Sequence, residues 1–141
     1  MSSKKDCPFC NIDARRNFII EENNISYVTF SNPRKIKGQL LVIPKRHVEE
    51  IEKLTDGEWK SLIDLIVKYH KKIIDKISEG CDIRQHFMPY VKQGRLKVDH
   101  VHFHLMPRNF NDEFFEKTKM ESELFEDLDK SEVDEVRKLL K

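Results

Sequence analysis

The chain has 141 residues, enough for one domain with a proper hydrophobic core. Charged residues make up 36% of it but the net charge is +1, so bulk charge draws it neither to nucleic acid nor to an anionic membrane. No run approaches the roughly 20 apolar residues of a membrane span and no apolar stretch follows Met1-Ser2-Ser3-Lys4, so a cytoplasmic setting is expected.

The first chemical feature in chain order is Cys7-Pro8-Phe9-Cys10. Three cysteines do not make a disulfide framework. A redox reading of Cys-x-x-Cys wants a strand before it, and none is predicted there. A zinc half-site is the better reading, with two further ligands to come from elsewhere and histidine the natural donor. Phe18–Glu21 and Ile25–Phe30 are predicted strands joined by an Asn23-Asn24 turn. Ser31-Asn32-Pro33 closes the second, and Arg34, Lys35 and Lys37 form a basic loop. Gly38–Pro44 is apolar enough for a central strand. Lys45-Arg46-His47 follows it, and taken alone His47 reads as a surface turn residue.

Thr55-Asp56-Gly57-Glu58 is a capping box. The helix behind it places Trp59, Leu62, Ile63, Ile66, Tyr69 or His70, Ile73, Ile74 and Ile77 on one stripe, and Gly80 is expected to terminate it. A fourth strand is predicted over Ile83–Tyr90, followed by a basic loop, Val91–Lys97. Asn109–Asp112 caps a short helix, and Val133, Val136, Leu139 and Leu140 mark an amphipathic one. Residues 1–108 carry 20 Lys and Arg against 14 Asp and Glu, whereas 109–141 carry 6 against 11. The basic body suits an anionic small molecule. The acidic remainder is expected to be a helical extension packed on or near the domain.

Between loop and extension lies Asp99-His100-Val101-His102-Phe103-His104-Leu105-Met106-Pro107-Arg108, which holds three of the six histidines. Strict alternation predicts a half-buried strand with Val101, Phe103 and Leu105 toward the core and the three histidines in a row on the other face. Pro107, lacking an N–H, is expected to end the ladder. A solvated edge strand is the bland alternative, but it would more commonly use Lys, Thr or Glu. Histidine is the side chain for nucleophilic, proton-transfer or metal chemistry near neutral pH.

Together these segments resemble the histidine triad (HIT) superfamily, in its zinc-carrying microbial branch. Its motif, three histidines alternating with apolar residues, stands here as His100-Val-His102-Phe-His104-Leu-Met. A second family segment stands as Gly38-Gln-Leu-Leu-Val-Ile-Pro-Lys-Arg-His47, and a third is Cys7-x-Phe-Cys10. The resemblance covers about residues 7–108. It implies an α+β fold with an antiparallel sheet of about five strands, one long helix and C-terminal helices, commonly in a homodimer. It implies a nucleotide hydrolase or nucleotidyl transferase acting at the α-phosphorus through a covalent nucleotidyl-histidine, on a dinucleoside polyphosphate or nucleoside phosphoramidate. His102 would be the nucleophile and His104 would position it and help hold phosphate. Structural zinc would sit on Cys7, Cys10, His47 and His100.

The chain departs from the family pattern just before the triad. A Gly-Gln-(Ser/Thr) phosphate grip is replaced by Arg95-Leu96-Lys97-Val98-Asp99, with Gln93-Gly94 earlier. Arg95, Lys97 and Gln93 are therefore the candidates for substrate contact, with Lys45 and Arg108 further candidates for a basic rim. This departure supports an alternative, a nucleotide-binding or interaction module of the same fold with little catalysis. A catalytic zinc held by all three triad histidines is disfavoured, because a regular strand spreads that row over about 13 Å.

Overall fold

The computed structural model describes residues 4–12, 18–118 and 124–141. Five strands, β1 (Ile19–Glu22), β2 (Ser26–Phe30), β3 (Leu40–Pro44), β4 (Gly80–Arg84) and β5 (Phe103–Arg108), form one sheet in the order β1-β2-β3-β5-β4, and every pair is antiparallel. Helix α1 (Asp56–Lys76) lies between β3 and β4 in sequence, and α2 (Glu113–Thr118) and α3 (Lys130–Leu139) follow the sheet. This is the expected α+β architecture. No helix among the described residues is long and apolar enough to cross a membrane.

The period-2 alternation of the strands sorts their side chains onto two faces. Val28, Leu40, Val42 and Leu105 pack with Leu62, Leu65, Ile66, Tyr69 and Ile73 of α1 to make the main core. On the opposite face Tyr27, Leu41 and Ile43 are covered by Phe9 and Ile12 of the Cys-x-x-Cys segment. The helix covers one face and leaves the other to the N-terminal knuckle and the histidines.

Helix α1 begins as its sequence predicts. Thr55 Oγ1 accepts from Glu58 N–H at 3.1 Å, and Glu58 Oε1 accepts from Thr55 N–H at 2.9 Å. Its buried stripe is rotated from the expected one: Leu65 lies inside, while Ile63, Ile74 and Ile77 are exposed. Gly80 does not terminate it. The helix ends at Lys76, and Gly80 already pairs with Arg108 as the first residue of β4.

The fourth strand therefore lies earlier than Ile83–Tyr90. It ends at Arg84, opposite His104, and Val91 N–H closes a turn back to the Met88 carbonyl at 3.1 Å around Pro89, which has no N–H for a ladder. The triad strand is also shorter than the alternation predicts. Val101 N–H donates to Val48 O at 2.6 Å and the His100 carbonyl is taken by a histidine ring, so the regular ladder begins only at Phe103. At its other end β5 runs through Pro107. β3 starts at Leu40, opposite Leu105, so beyond that point β5 has a ladder partner only on the β4 side, where an edge tolerates proline. Gly38 sits beside this end at φ +84°, a conformation that favours glycine, and a Cβ there would make a tight 3.2 Å contact with Pro107 Cγ.

The acidic extension divides in two. Phe114 of α2 is buried with Ile36 and Met106 under the guanidinium groups of Arg84 and Arg108, and Glu113 accepts from Lys37 N–H and Arg34. Among the described residues, α3 packs on no other helix or strand.

Candidate active site and metal centre

The N-terminal knuckle is built by local hydrogen bonds. Cys10 N–H and Asn11 N–H both donate to Cys7 O, at 3.2 and 3.1 Å. Tyr27, buried in the sheet, donates its hydroxyl to Phe9 O at 2.8 Å and pins the knuckle to the face opposite α1. Burial raises that phenol well above its ordinary range, so it stays a donor. Cys7 and Cys10 thereby meet the ends of two distant segments. The ligand atoms of Cys7, Cys10, His47 and His100 all lie within 4.8 Å of one another.

His100 Nδ1 is 3.3 Å from Cys7 Sγ and 3.5 Å from Cys10 Sγ, and His47 Nδ1 is 3.3 Å from Cys10 Sγ. Tetrahedral zinc, with bonds of about 2.3 Å to sulfur and 2.0 Å to nitrogen, spaces its ligands by about 3.3–3.8 Å. The far side of each ring is also arranged for a cation. His100 Nε2–H donates to Pro44 O at 2.7 Å, and His47 Nε2–H donates to a Glu49 carboxylate oxygen at 3.2 Å. Each partner fixes the tautomer that presents an Nδ1 lone pair to the sulfurs. Burial pushes the Cys7 thiol up to about 11 and His100 down to about 4, and a divalent cation bound there would displace the Cys7 proton. The residues fit a closed four-ligand zinc site.

Two residues along, His102 has a different partner. Its Nδ1–H donates to the His100 carbonyl at 2.6 Å, which leaves Nε2 with the lone pair. Phe9 meets the ring edge-on at 5.0 Å between centroids. Burial holds His102 neutral, with His86 and Lys35 adding to the effect. His104 follows at 4.9 Å from the His102 ring, close enough for the two to share a site. Both rings line a cavity of about 810 Å³, large enough for a nucleotide-sized ligand.

The basic residues expected at this site are placed differently from one another. Arg95 and Lys97 line the cavity, but Lys97 is paired with Asp99. Gln93, expected to touch substrate, does not line it. Its Oε1 accepts from Asp99 N–H at 2.9 Å and buckles the pre-triad loop. Lys45 turns to Glu22 and Arg108 to Asp82 and Asp112, where they serve the sheet rather than the rim. His47, read alone as a surface residue, belongs to the cysteine cluster.

Lys35 of the basic loop, which could steer a phosphate, does line the cavity, whereas Gln39, His86 and Phe9 were given no part in the chemistry by the sequence reading. Gln39 is 2% exposed and bonds His104. Lys35 and His86 lie on the cavity wall, and Phe9 covers His102. Gln39 had a usable signal, a polar residue at the head of an apolar central strand. His86 had none, because its approach to within 5.5 Å of His104 depends on how the chain turns after β4.

Comparison with known proteins places these features in company. The family model described as HIT domain matches residues 12–111. An uncharacterized HIT-like protein of Methanocaldococcus jannaschii is 31% identical over 109 residues, covering 72% of this chain and 78% of that protein. Adenosine 5'-monophosphoramidase hnt1 of Schizosaccharomyces pombe is 35% identical over 75 residues, covering 51% of this chain and 50% of that protein. Among solved structures, a HIT-family member from Bacillus subtilis superposes with TM-score 0.63 at 27% identity, over 73% of each chain. A zinc-bound histidine triad family protein from Mycobacterium smegmatis gives TM-score 0.63 at 19% identity, over 79% of this chain and 81% of that one, a likeness of fold.

Proposed function

The chain belongs to the HIT domain family, and from that premise we propose that it is a nucleotide hydrolase or nucleotidyl transferase with His102 as its nucleophile. The observation that carries the reading is the His102 Nδ1–H bond to the His100 carbonyl, which leaves Nε2 as the free lone pair of a neutral, cavity-lining ring. Nε2 attacks the α-phosphorus, the N–P bond forms, and the bond from phosphorus to the leaving group breaks, with the leaving group keeping the bonding pair and, when it is an amine, taking a proton from solvent. The positive charge that develops on the ring is stabilised through Nδ1–H by the carbonyl. Water then attacks phosphorus, releases the nucleoside monophosphate and restores the imidazole, with the water's proton passing to solvent. A transferase would use another acceptor at this second step. The substrate is a nucleoside phosphoramidate or dinucleoside polyphosphate. An activity on adenosine phosphoramidate is what the name of the fission yeast relative states for that protein.

Cys7, Cys10, His47 and His100 would hold zinc. With four protein ligands and no open position, the ion would cross-link the knuckle to the start of the triad. We include in the same proposal the family's pairing of two copies and a cytoplasmic setting.

Incubation with a dinucleoside tetraphosphate, an adenosine phosphoramidate and a nucleoside diphosphate sugar, followed by intact-mass analysis, tests the nucleophile. The expected result is a nucleotidyl adduct that His102→Ala abolishes while zinc content and melting temperature hold. Nucleotide binding with neither adduct nor turnover would replace this reading with a non-catalytic binding module.

A further inference from the structure

His102 and His104 are adjacent on one face, and the function of each ring depends on which nitrogen bears a proton. For His102 the His100 carbonyl decides. For His104 the decision passes through Gln39. Lys35 N–H, which can only donate, lies 2.6 Å from Gln39 Oε1. That contact fixes the amide carbonyl toward Lys35 and turns the amide NH₂ toward His104 Nδ1, at 2.9 Å. An NH₂ group cannot accept, so Nδ1 must hold a lone pair and the His104 proton must be on Nε2.

The backbone of Gln39 is held as well. Its N–H donates to Ile36 O at 3.2 Å, and its carbonyl accepts from Ser31 N–H at 2.9 Å. The left-handed conformation at Gly38 sets the turn that brings Lys35 N–H and Gln39 together. At 2% exposed, the amide has no solvent with which to exchange partners. The groups that charge His104's surroundings are His102 on its own strand, Arg84 opposite on β4, His86 beyond β4, and Lys35 from the β2–β3 turn. With burial, they keep the ring from taking a second proton.

The geometry points to Gln39 as a positioning residue that fixes His104 as a hydrogen-bond donor to the phosphoryl oxygens, beside a His102 fixed as lone-pair donor. The functional half of this inference rests on the nucleophile reading above; the tautomer half does not. Two neighbouring imidazoles thus take opposite roles because one ring's Nδ1 meets an acceptor and the other's meets a donor. Neither role requires protonation of a ring.

Two variants of the full chain test it. In Gln39→Glu, one carboxylate oxygen still accepts from Lys35 N–H, but the other accepts from His104 Nδ1–H, so the Nε2 proton is lost unless the ring becomes doubly protonated. Gln39→Met keeps the bulk and removes the bond. Long-range 1H–15N spectra of labelled protein should show His104 protonated on Nε2 in the parent and on Nδ1, or on both, in Gln39→Glu. Adduct formation at pH 8 should fall by about 10²-fold in both, the cost typical of losing one such donor. It should recover on acidification only in Gln39→Glu. An Nδ1-protonated His104 in the parent overturns the inference, and so does a Gln39→Met that forms adduct at the parental rate. The spectra need no turnover, so failure to form any adduct defeats the nucleophile reading while the tautomer assignment is still decided on its own.

Discussion

At the scale of the residue, the triad histidines differ in what their backbone neighbours ask of them. His100 and His102 both give up one N–H to a carbonyl, yet His100 turns its remaining nitrogen to the cysteines and His102 lines the cavity. His104, pushed down to about 3 by burial and by His102, His86, Lys35 and Arg84, stays neutral across the working range. That shift has a cost for the fold. Between about 3 and an unfolded value of about 6.5, the unfolded chain binds a proton that the folded chain refuses, so stability is full above the upper value and falls as pH drops. Urea midpoints at pH 7 and pH 5 should show His104→Gln losing less stability than the parent, by about 1–2 kcal/mol. Equal losses would show that His104 carries no such penalty. The residue types and order of the site were legible in sequence because alternation fixes which side chains share a face. The tautomers were not, because each is set by a partner from elsewhere in the fold or by a backbone carbonyl whose direction no spacing reveals.

At the scale of the element, helix α1 and strands β2 and β3 followed from local chemistry. The capping box of Thr55 and Glu58 forms as written, and Glu58 also receives Arg46 through two hydrogen bonds of 2.8 and 3.0 Å. The Arg46 guanidinium holds the Glu58 carboxyl below its ordinary pKa and keeps it charged. The start of α1 is thus tied to the residue next to His47. Thr55→Ala should lower the unfolding free energy by about 1 kcal/mol in urea denaturation. Zinc content should not change; an unaltered midpoint would mean that the cap contributes nothing. The fourth strand was misplaced for a physical reason. Gly80 carries two meanings in sequence, helix terminator and strand start, and pairing with Arg108 selects the second. Similarly, β5 begins late because Val101 N–H goes to Val48 O, the His100 ring goes to Pro44 O, and the His100 carbonyl accepts from the His102 ring.

At the scale of the whole molecule, the cysteine–histidine cluster gathers segments from residues 7–10, 47 and 100 onto the face that α1 leaves uncovered. A metal there would close long loops and fix the knuckle whose Phe9 packs against His102. Cys7→Ser should therefore bind substoichiometric zinc and melt more than about 5 °C lower, since about 1 kcal/mol moves a chain of this size by a few degrees. The rate of adduct formation should suffer less than either. Full zinc occupancy in Cys7→Ser, measured by elemental analysis, would remove Cys7 from the ligand set.

By itself the sequence determined the strand alternation and the helix start, which follow from local rules (period 2, period 3.6 and capping), while the antiparallel α+β class came from the resemblance its motifs carry. Tertiary structure alone decided that Gln93 buckles a loop while Gln39 faces His104, that Lys97 is paired with Asp99, that His86 comes to the cavity, and that α2 joins the core while α3 packs on no other described element. The reason is the same in each case. A polar side chain's role is set by the one partner within about 3 Å of it, and long-range strand pairing chooses that partner.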